Sequence, residues 1–344
     1  MTDYTASTSP EAEFERLAPH LTPVIRVQRQ LHAHPALGPF IVLIASAVVF
    51  SFLNTRFYAA ANVSLMLQQV AVIAALGIAQ TLIILTAGID LSIGAAMILA
   101  QLFMAQTAAN NHIAGPIALL IGLVIGLGTG VLNGALVTRF RLPPFIATLG
   151  TLSIFTSIGL LYSKGQTTQA SSMPAILNWT GNPVKIGPFN LINGVLLVLA
   201  MYLVINYVLS QTMWGRHVYA VGDDIDAARL SGIRTNLVLF SVYAVAGVII
   251  AVGAWVSIGY TGAASPNNAA DANLQSITAV VIGGTSLFGG RGGVIGTLFG
   301  ALIVVVFTAG LTLAGVNDLY QPIALGALVI AAVAVDQWIR RVKA

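Results

Sequence analysis

The sequence predicts an all-α polytopic membrane protein with about ten transmembrane helices, and three observations lead there. Of 344 residues, 57% are hydrophobic and 8% charged, against about 25% charged in a soluble domain; too few polar residues exist to cover a soluble core of that size. The apolar residues fall in long runs, and a straight span needs about 20 of them. Most of the basic residues sit at the edges of those runs, where they set orientation. Cysteine is absent, which excludes a disulfide framework, a thiolate nucleophile and a zinc–thiolate site. The net charge of +4 belongs to the membrane edges and implies no nucleic-acid partner.

In chain order, residues 1–37 form a polar tail. It is no secretory signal, because the first apolar run starts near Gly38 and acidic residues precede it. Apolar runs follow at 38–53, 62–86, 91–109, 115–137, 144–163, 190–210, 236–260, 273–288, 293–314 and 319–338, with a short polar end at 339–344. The run at 273–288 has the weakest claim on a span. With the N-terminus placed in the cytoplasm, the inner segments hold Arg16, Arg26, Arg29, Arg139, Arg141, Arg216, Arg229, Arg234, Arg291, Arg340, Arg341 and Lys343. The outer ones hold Arg56, Lys164 and Lys185. Twelve against three predicts both termini inside and an even number of spans.

The segment 215–236, between the sixth and seventh runs, is charged and helical in pattern. Asp223, Asp224 and Asp226 stand where a helix of about two turns would start, beside the positive end of its dipole, and Arg229 stands near the other end. Ala227, Ala228 and Leu230 favour helix. Gly222 precedes it, Ser231 and Gly232 close it with a left-handed stop, and Ile233 can fold back apolar surface. Two readings stand: a solvated loop helix, or a docking helix for a cytoplasmic partner with Ala227, Ala228 and Leu230 as its packing side.

Glycines suggest an internal repeat. Gly122, Gly126, Gly130 and Gly134 recur every four residues in the fourth run, and Gly292, Gly296 and Gly300 do so in the ninth. Such faces let helices approach closely. They occupy matched places in two four-span blocks, about 62–163 and 236–338. The blocks are offset by five spans and so would insert in opposite directions, as in inverted-repeat transporters.

No G-x-x-x-x-G-K-[ST] motif is present, so the chain carries no P-loop ATPase. The glycine-rich stretch 283–293 reads as a tight hairpin. No catalytic or metal-ligating set emerges, and no ionisable residue is expected inside a span: Asp90 falls in the turn between the second and third runs, and the histidines all lie outside the runs. This argues against a carrier driven by protons or sodium. Uncharged polar residues do occur in the spans. Asn62, Gln69 and Gln80 fall within about 20° of one line on a helix; Thr148 and Thr151 share a face after the Pro143–Pro144 break, near Phe145, and Asn133 lies near the end of the fourth run. They are either hydrogen-bonding glue between helices or a polar seam for an uncharged, hydroxyl-rich solute.

Four motifs in order carry a resemblance: AGIDLSIGA (87–95), LPPFIATLGT (142–151), GRHVYAVGDDIDAARLSGI (215–233) and ITAVVIGGTSLFGGRGGVIGT (277–297). Over about 40–338 the chain resembles the membrane permeases of bacterial ABC importers for ribose, xylose, galactose, fructose and related sugars. The resemblance implies a ten-span permease of the vitamin-B12-importer type in the bacterial inner membrane. It implies a second permease copy or a related permease, cytoplasmic ATPase subunits that bind ATP and Mg while this chain binds no cofactor, and an extracytoplasmic sugar-binding protein. It places 222–233 in the ATPase groove. Family members often carry Gly-Asn where this chain has Asp223–Asp224. A stand-alone secondary carrier or facilitator is the competing reading. A nucleoside, a signalling furanose or a branched-chain amino acid is the competing cargo.

Overall fold

The computed structural model describes residues 37–267 and 271–341. Most of the 1–37 tail, with Arg16, Arg26 and Arg29, and the last three residues, with Lys343, lie outside the described residues. The chain is built of helices: α1 (Leu37–Leu53), α2 (Ala60–Leu85), α3 (Ile93–Ala109), α4 (Gly115–Thr138), α5 (Pro144–Ser163), a short α6 (Ala175–Asn178), α7 (Asn193–Gln211), α8 (Met213–Asp223), α9 (Ile225–Leu230), α10 (Thr235–Thr261), α11 (Ala272–Ile282), α12 (Val294–Leu313) and α13 (Gln321–Arg341). Of these, α2, α4, α5, α7, α10 and α12 are long and apolar enough to cross a membrane; α1, α3, α11 and part of α13 are shorter and apolar. Each of the ten apolar runs thus contains one apolar helix.

Helices α2 and α10 are hydrophobic all round and stand at the centre of the core. Helices α4, α5 and α7 bury one stripe and leave an apolar outer face. The first helix of each proposed block packs along the third helix of the other, α2 on α12 and α10 on α4. The two short helices meet at their starts, where the Gly94 N–H donates to the Asn273 Oδ1.

Two expectations change. The run 273–288 is not helical throughout: its helix covers Ala272–Ile282, shorter than a straight span of about 20 residues. It is helical only to Ile282, where Gly284 takes φ +81. The Thr285 N–H then returns to the Val280 carbonyl and the Gly284 N–H to that of Val281, a Schellman end. The glycine series also differ in use. Gly122 faces Met104 on α3, while Gly126, Gly130 and Gly134 face α10. Gly296 and Gly300 instead face Gly283 and Ala279 of their own block, and Gly292 precedes α12 in the hairpin at φ +119. The link 164–192 carries short elements of its own. Thr168–Gln169 (β1) pairs with Ala263–Ala264 (β4), and Pro183–Ile186 (β2) pairs with Phe189–Ile192 (β3), both antiparallel. Trp179 stacks on Trp255 at 5.4 Å, fixing this link to the end of α10.

Candidate functional site: the α9 segment and the buried network beneath it

The segment 215–236 holds two helices where the sequence suggested one. Its upstream part continues as α8, capped by the Thr212 Oγ1, which accepts from the Gly215 N–H at 3.2 Å. Gly215, Val218, Val221 and Gly222 are its inward face. Their three- and four-residue spacing was a readable signal. Asp223 ends α8. Asp224 then takes extended backbone and caps α9, its Oδ1 accepting from the Asp226 and Ala227 N–H groups at 2.9 Å. Asp226 pairs with Arg229 at 3.3 Å on the exposed face.

At the far end Gly232 takes φ +84. The Ile233 N–H donates to the Ala228 carbonyl and the Gly232 N–H to that of Arg229, again a Schellman end, while the Ser231 Oγ bonds the Ala227 carbonyl. Ile233 packs half-buried on the core. The proposed packing side of this helix needs correction. Ala228 is 4% exposed and buried against this chain itself, whereas Leu230 is 90% exposed and Ala227 is open. A six-residue helix shows its own protein one side only, and Ala228 is on it.

Gly222 sits in a backbone junction. A Cβ there would collide with the Leu85 carbonyl, the last of α2, and would come 2.7 Å from the Gly290 nitrogen. The Gly290 N–H donates to that same carbonyl at 3.0 Å. Gly289 and Gly290 take φ +84 and +70; a Cβ at Gly290 would stand 2.8 Å from the Asp223 Cα. The Tyr219 hydroxyl donates to the Gly292 carbonyl at 2.9 Å, and burial raises its pKa above the ordinary tyrosine value, so it stays a donor. Only glycine lets α8, the end of α2 and the 283–293 hairpin touch main chain to main chain.

Beyond Leu85 the chain turns inward. Asp90, expected in a turn outside the spans, is 3% exposed. This overturns the expectation of no buried ionisable group. Turns usually lie in water, but α3 starts inside the protein and draws the turn in with it. The carboxylate is fully engaged: Oδ1 accepts from the Ser92 N–H and Oγ at 2.7 Å each, and Oδ2 from the Asn133 Nδ2 at 3.2 Å. Asn133 also donates to the Ser92 Oγ at 2.8 Å, and its Oδ1 accepts from the Thr151 Oγ1 at 2.8 Å. The Leu91 N–H donates to the Thr148 Oγ1 at 3.1 Å.

Asn133, Thr148 and Thr151 are therefore buried ties within one chain, not an open seam. The line of Asn62, Gln69 and Gln80 also dissolves into three environments. Asn62 donates to the Arg56 carbonyl before α2, Gln69 is half-buried, and Gln80 is fully buried with its amide unpartnered within the chain. Phe145 does face outward. It lies on the open face of α5 with Leu149, Gly150, Ser153, Thr156 and Ser157. The hydroxyls of that face were missed because periodicity alone does not say which side of a membrane helix is unpartnered.

A cavity of about 960 Å³ opens beside α9, between Thr138, Arg141 and Pro144 on one wall and Gly222, Asp223 and Arg229 on the other, with Gly88 and Tyr243 also lining it. Ala87 and Arg141 line it with φ near +59 and +55. Among the described residues no group of histidine, cysteine and carboxylate side chains could hold a metal.

Residues 62–333 match the protein family described as branched-chain amino acid transport system / permease component. The chain is 45% identical over 323 residues to the fructose import permease protein FrcC of Rhizobium meliloti, covering 93% of this chain and 90% of that one. It is 34% identical to the ribose import permease protein RbsC of Bacillus subtilis (88% and 92% covered). It is also 34% identical to the galactose/methyl galactoside import permease protein MglC of Escherichia coli (87% and 93%). No solved structure matches the chain significantly. With the helical architecture and a match of this extent, the chain belongs to this family of membrane transport permeases.

Proposed function

We propose that the chain is the permease subunit of an ABC importer and forms the translocation path for a monosaccharide, a pentose or a hexose. Separate ATPase subunits, holding ATP and Mg, dock on α9 from the cytoplasm, and an extracytoplasmic binding protein delivers the sugar to the opposite end, near the β2–β3 hairpin. Two copies meet through the open face of α5, whose Phe145, Gly150, Ser153 and Ser157 line the path. The bias of arginine and lysine supports cytoplasmic termini in a bacterial inner membrane. The permease itself is not an enzyme. Support for a sugar over the amino acid of the family description comes from relatives named for fructose, ribose and galactose.

The observation that carries this reading is α9. It is capped at both ends and presents Leu230 to solvent, where the side chain stabilises nothing in its own chain. One observation favours a stand-alone ion-driven carrier, the buried Asp90. Against it, both carboxylate oxygens are taken by donors of the same chain.

The test is reconstitution of the full importer in liposomes, with its ATPase and binding protein and labelled monosaccharides. ATP-dependent uptake is expected, and Leu230→Arg is expected to remove the ATPase from the purified complex while the permease still inserts. Sugar flux through the permease alone, unchanged when the ATPase is left out, would establish the carrier instead.

A further inference from the structure

We propose that residues 86–92 are the strut that carries movement of α9 to α5, with Asp90 as the positioning residue that holds it rigid. The proposal rests on the reading that an ATPase moves α9.

The strut is gripped at both ends. At the first, Gly222 and Asp223, directly before α9, lie main chain to main chain against Leu85 and Gly290. No side chain stands between them to absorb a displacement by changing rotamer. Leu85 ends α2, and the strut begins at the next residue. The Thr86 Oγ1 donates to the Ile83 carbonyl at 2.8 Å, and a Cβ on Gly289 would lie 2.9 Å from the Ala87 nitrogen.

At the other end, the strut is tied to α4 through Asn133 and to α5 by two separate routes. One runs directly through the Thr148 Oγ1, which accepts from the Leu91 N–H and lies 3.2 Å from the Ile89 carbonyl as a donor, and the other reaches Thr151 by way of Asn133. Thr148 and Thr151 are on the buried side of α5; the face proposed to line the path is on its other side.

The interior of the tie has no water-facing member: Asp90, Ser92, Asn133, Thr148 and Thr151 are all buried. Breaking one bond leaves a buried donor or acceptor unmade, which is costly, so such a network shifts as a unit. A push on α9 reaches Leu85 through glycine contacts and leaves the strut through bonds that do not stretch. This also accounts for an aspartate at this position. Its two oxygens together accept three bonds, from the Ser92 N–H, the Ser92 Oγ and the Asn133 Nδ2, and so tie the turn to itself and to α4 at once.

A static brace would have the same contacts, so the test separates transmission from bracing. The complete importer is reconstituted with Thr151→Val, Thr151→Ser and Thr148→Val permeases. Retained ATPase, melting temperature, ATP hydrolysis and sugar moved per ATP are measured on each. The expected result is that Thr151→Val keeps its ATPase and hydrolyses ATP at close to the normal rate, while sugar per ATP falls about five- to tenfold, the scale of one lost hydrogen bond. Thr151→Ser, which keeps the hydroxyl, restores the ratio. Thr148→Val gives an independent reading through the other bond and is expected to behave like Thr151→Val.

An unchanged sugar-to-ATP ratio in both valine variants overturns the proposal, and so does a fall of uptake and hydrolysis in step. Each outcome marks a brace. If the unaltered importer shows no ATP-driven uptake, the importer reading itself fails, and this is distinguishable because it appears before any substitution is made.

Discussion

Two glycines on α4 stand two residues apart and face opposite worlds. A Cβ at Gly130 would strike the Tyr243 carbonyl of α10 and meet the Gly247 Cα at 3.0 Å, while one at Gly128 meets nothing within 4 Å. Gly130→Leu is therefore expected to destabilise the permease by about 1–3 kcal/mol or more through overpacking. Gly128→Leu adds only outward apolar surface and should leave stability near that of the parent. Melting curves of the two purified variants in the same detergent check this; equal midpoints would mean that α4 and α10 do not pack as described. The i+4 spacing of Gly122, Gly126, Gly130 and Gly134 was legible in the sequence as a close-packing face. That its partner is α10 was not, because α10 begins about a hundred residues later and nothing local to α4 points to it.

At the scale of the element, α9 is short enough that its ends decide its existence. A six-residue helix has almost no interior hydrogen bonding of its own. The Asp224 carboxylate bonds two of its free N–H groups, and Gly232 closes it in a left-handed conformation. Asp224→Ala is expected to loosen the helix by about 1 kcal/mol, and Gly232→Val by roughly 1–2 kcal/mol. Both should weaken retention of the ATPase without altering the melting of the membrane core, because neither touches a span. Pull-down of the ATPase with each permease, beside a melting curve, reads the two effects separately; normal retention by both variants would mean that docking does not depend on α9. Ala228→Arg should act differently. It would bury an unpaired charge against this chain, at a cost of several kcal/mol, and so lower the melting temperature as well.

For the whole molecule, the open face of α5 is the surface proposed to meet a second copy. Gly150, Ser153, Thr156 and Ser157 interrupt an otherwise apolar outer surface at positions where α5 has no neighbour in its own chain. The chain contains no cysteine, so one introduced thiol reports without background. Gly150→Cys in the purified importer is expected to give a disulfide-linked permease dimer on mild oxidation, and Ile117→Cys, on the exposed side of α4, is not. A monomer from Gly150→Cys under conditions that retain the ATPase would place the contact between copies elsewhere.

Composition by itself determined that this is a multi-span membrane protein, because a chain with so few charges cannot solvate a soluble surface. Local pattern determined the ten apolar helices and the caps of α9, since run length, an Asp before a helix and a Gly after it act within a few residues. What only the tertiary structure decided depends on partners distant in sequence. It folded the Asp90 turn inward onto Asn133 and Thr151, ended α11 early against α12, and turned Ala228 toward its own chain. It also made buried ties of the hydroxyls at 148 and 151 while leaving those at 153 and 157 open. A threonine on a membrane helix has the same local signal on either side; which side is covered is settled by packing, and packing is set by the whole chain at once.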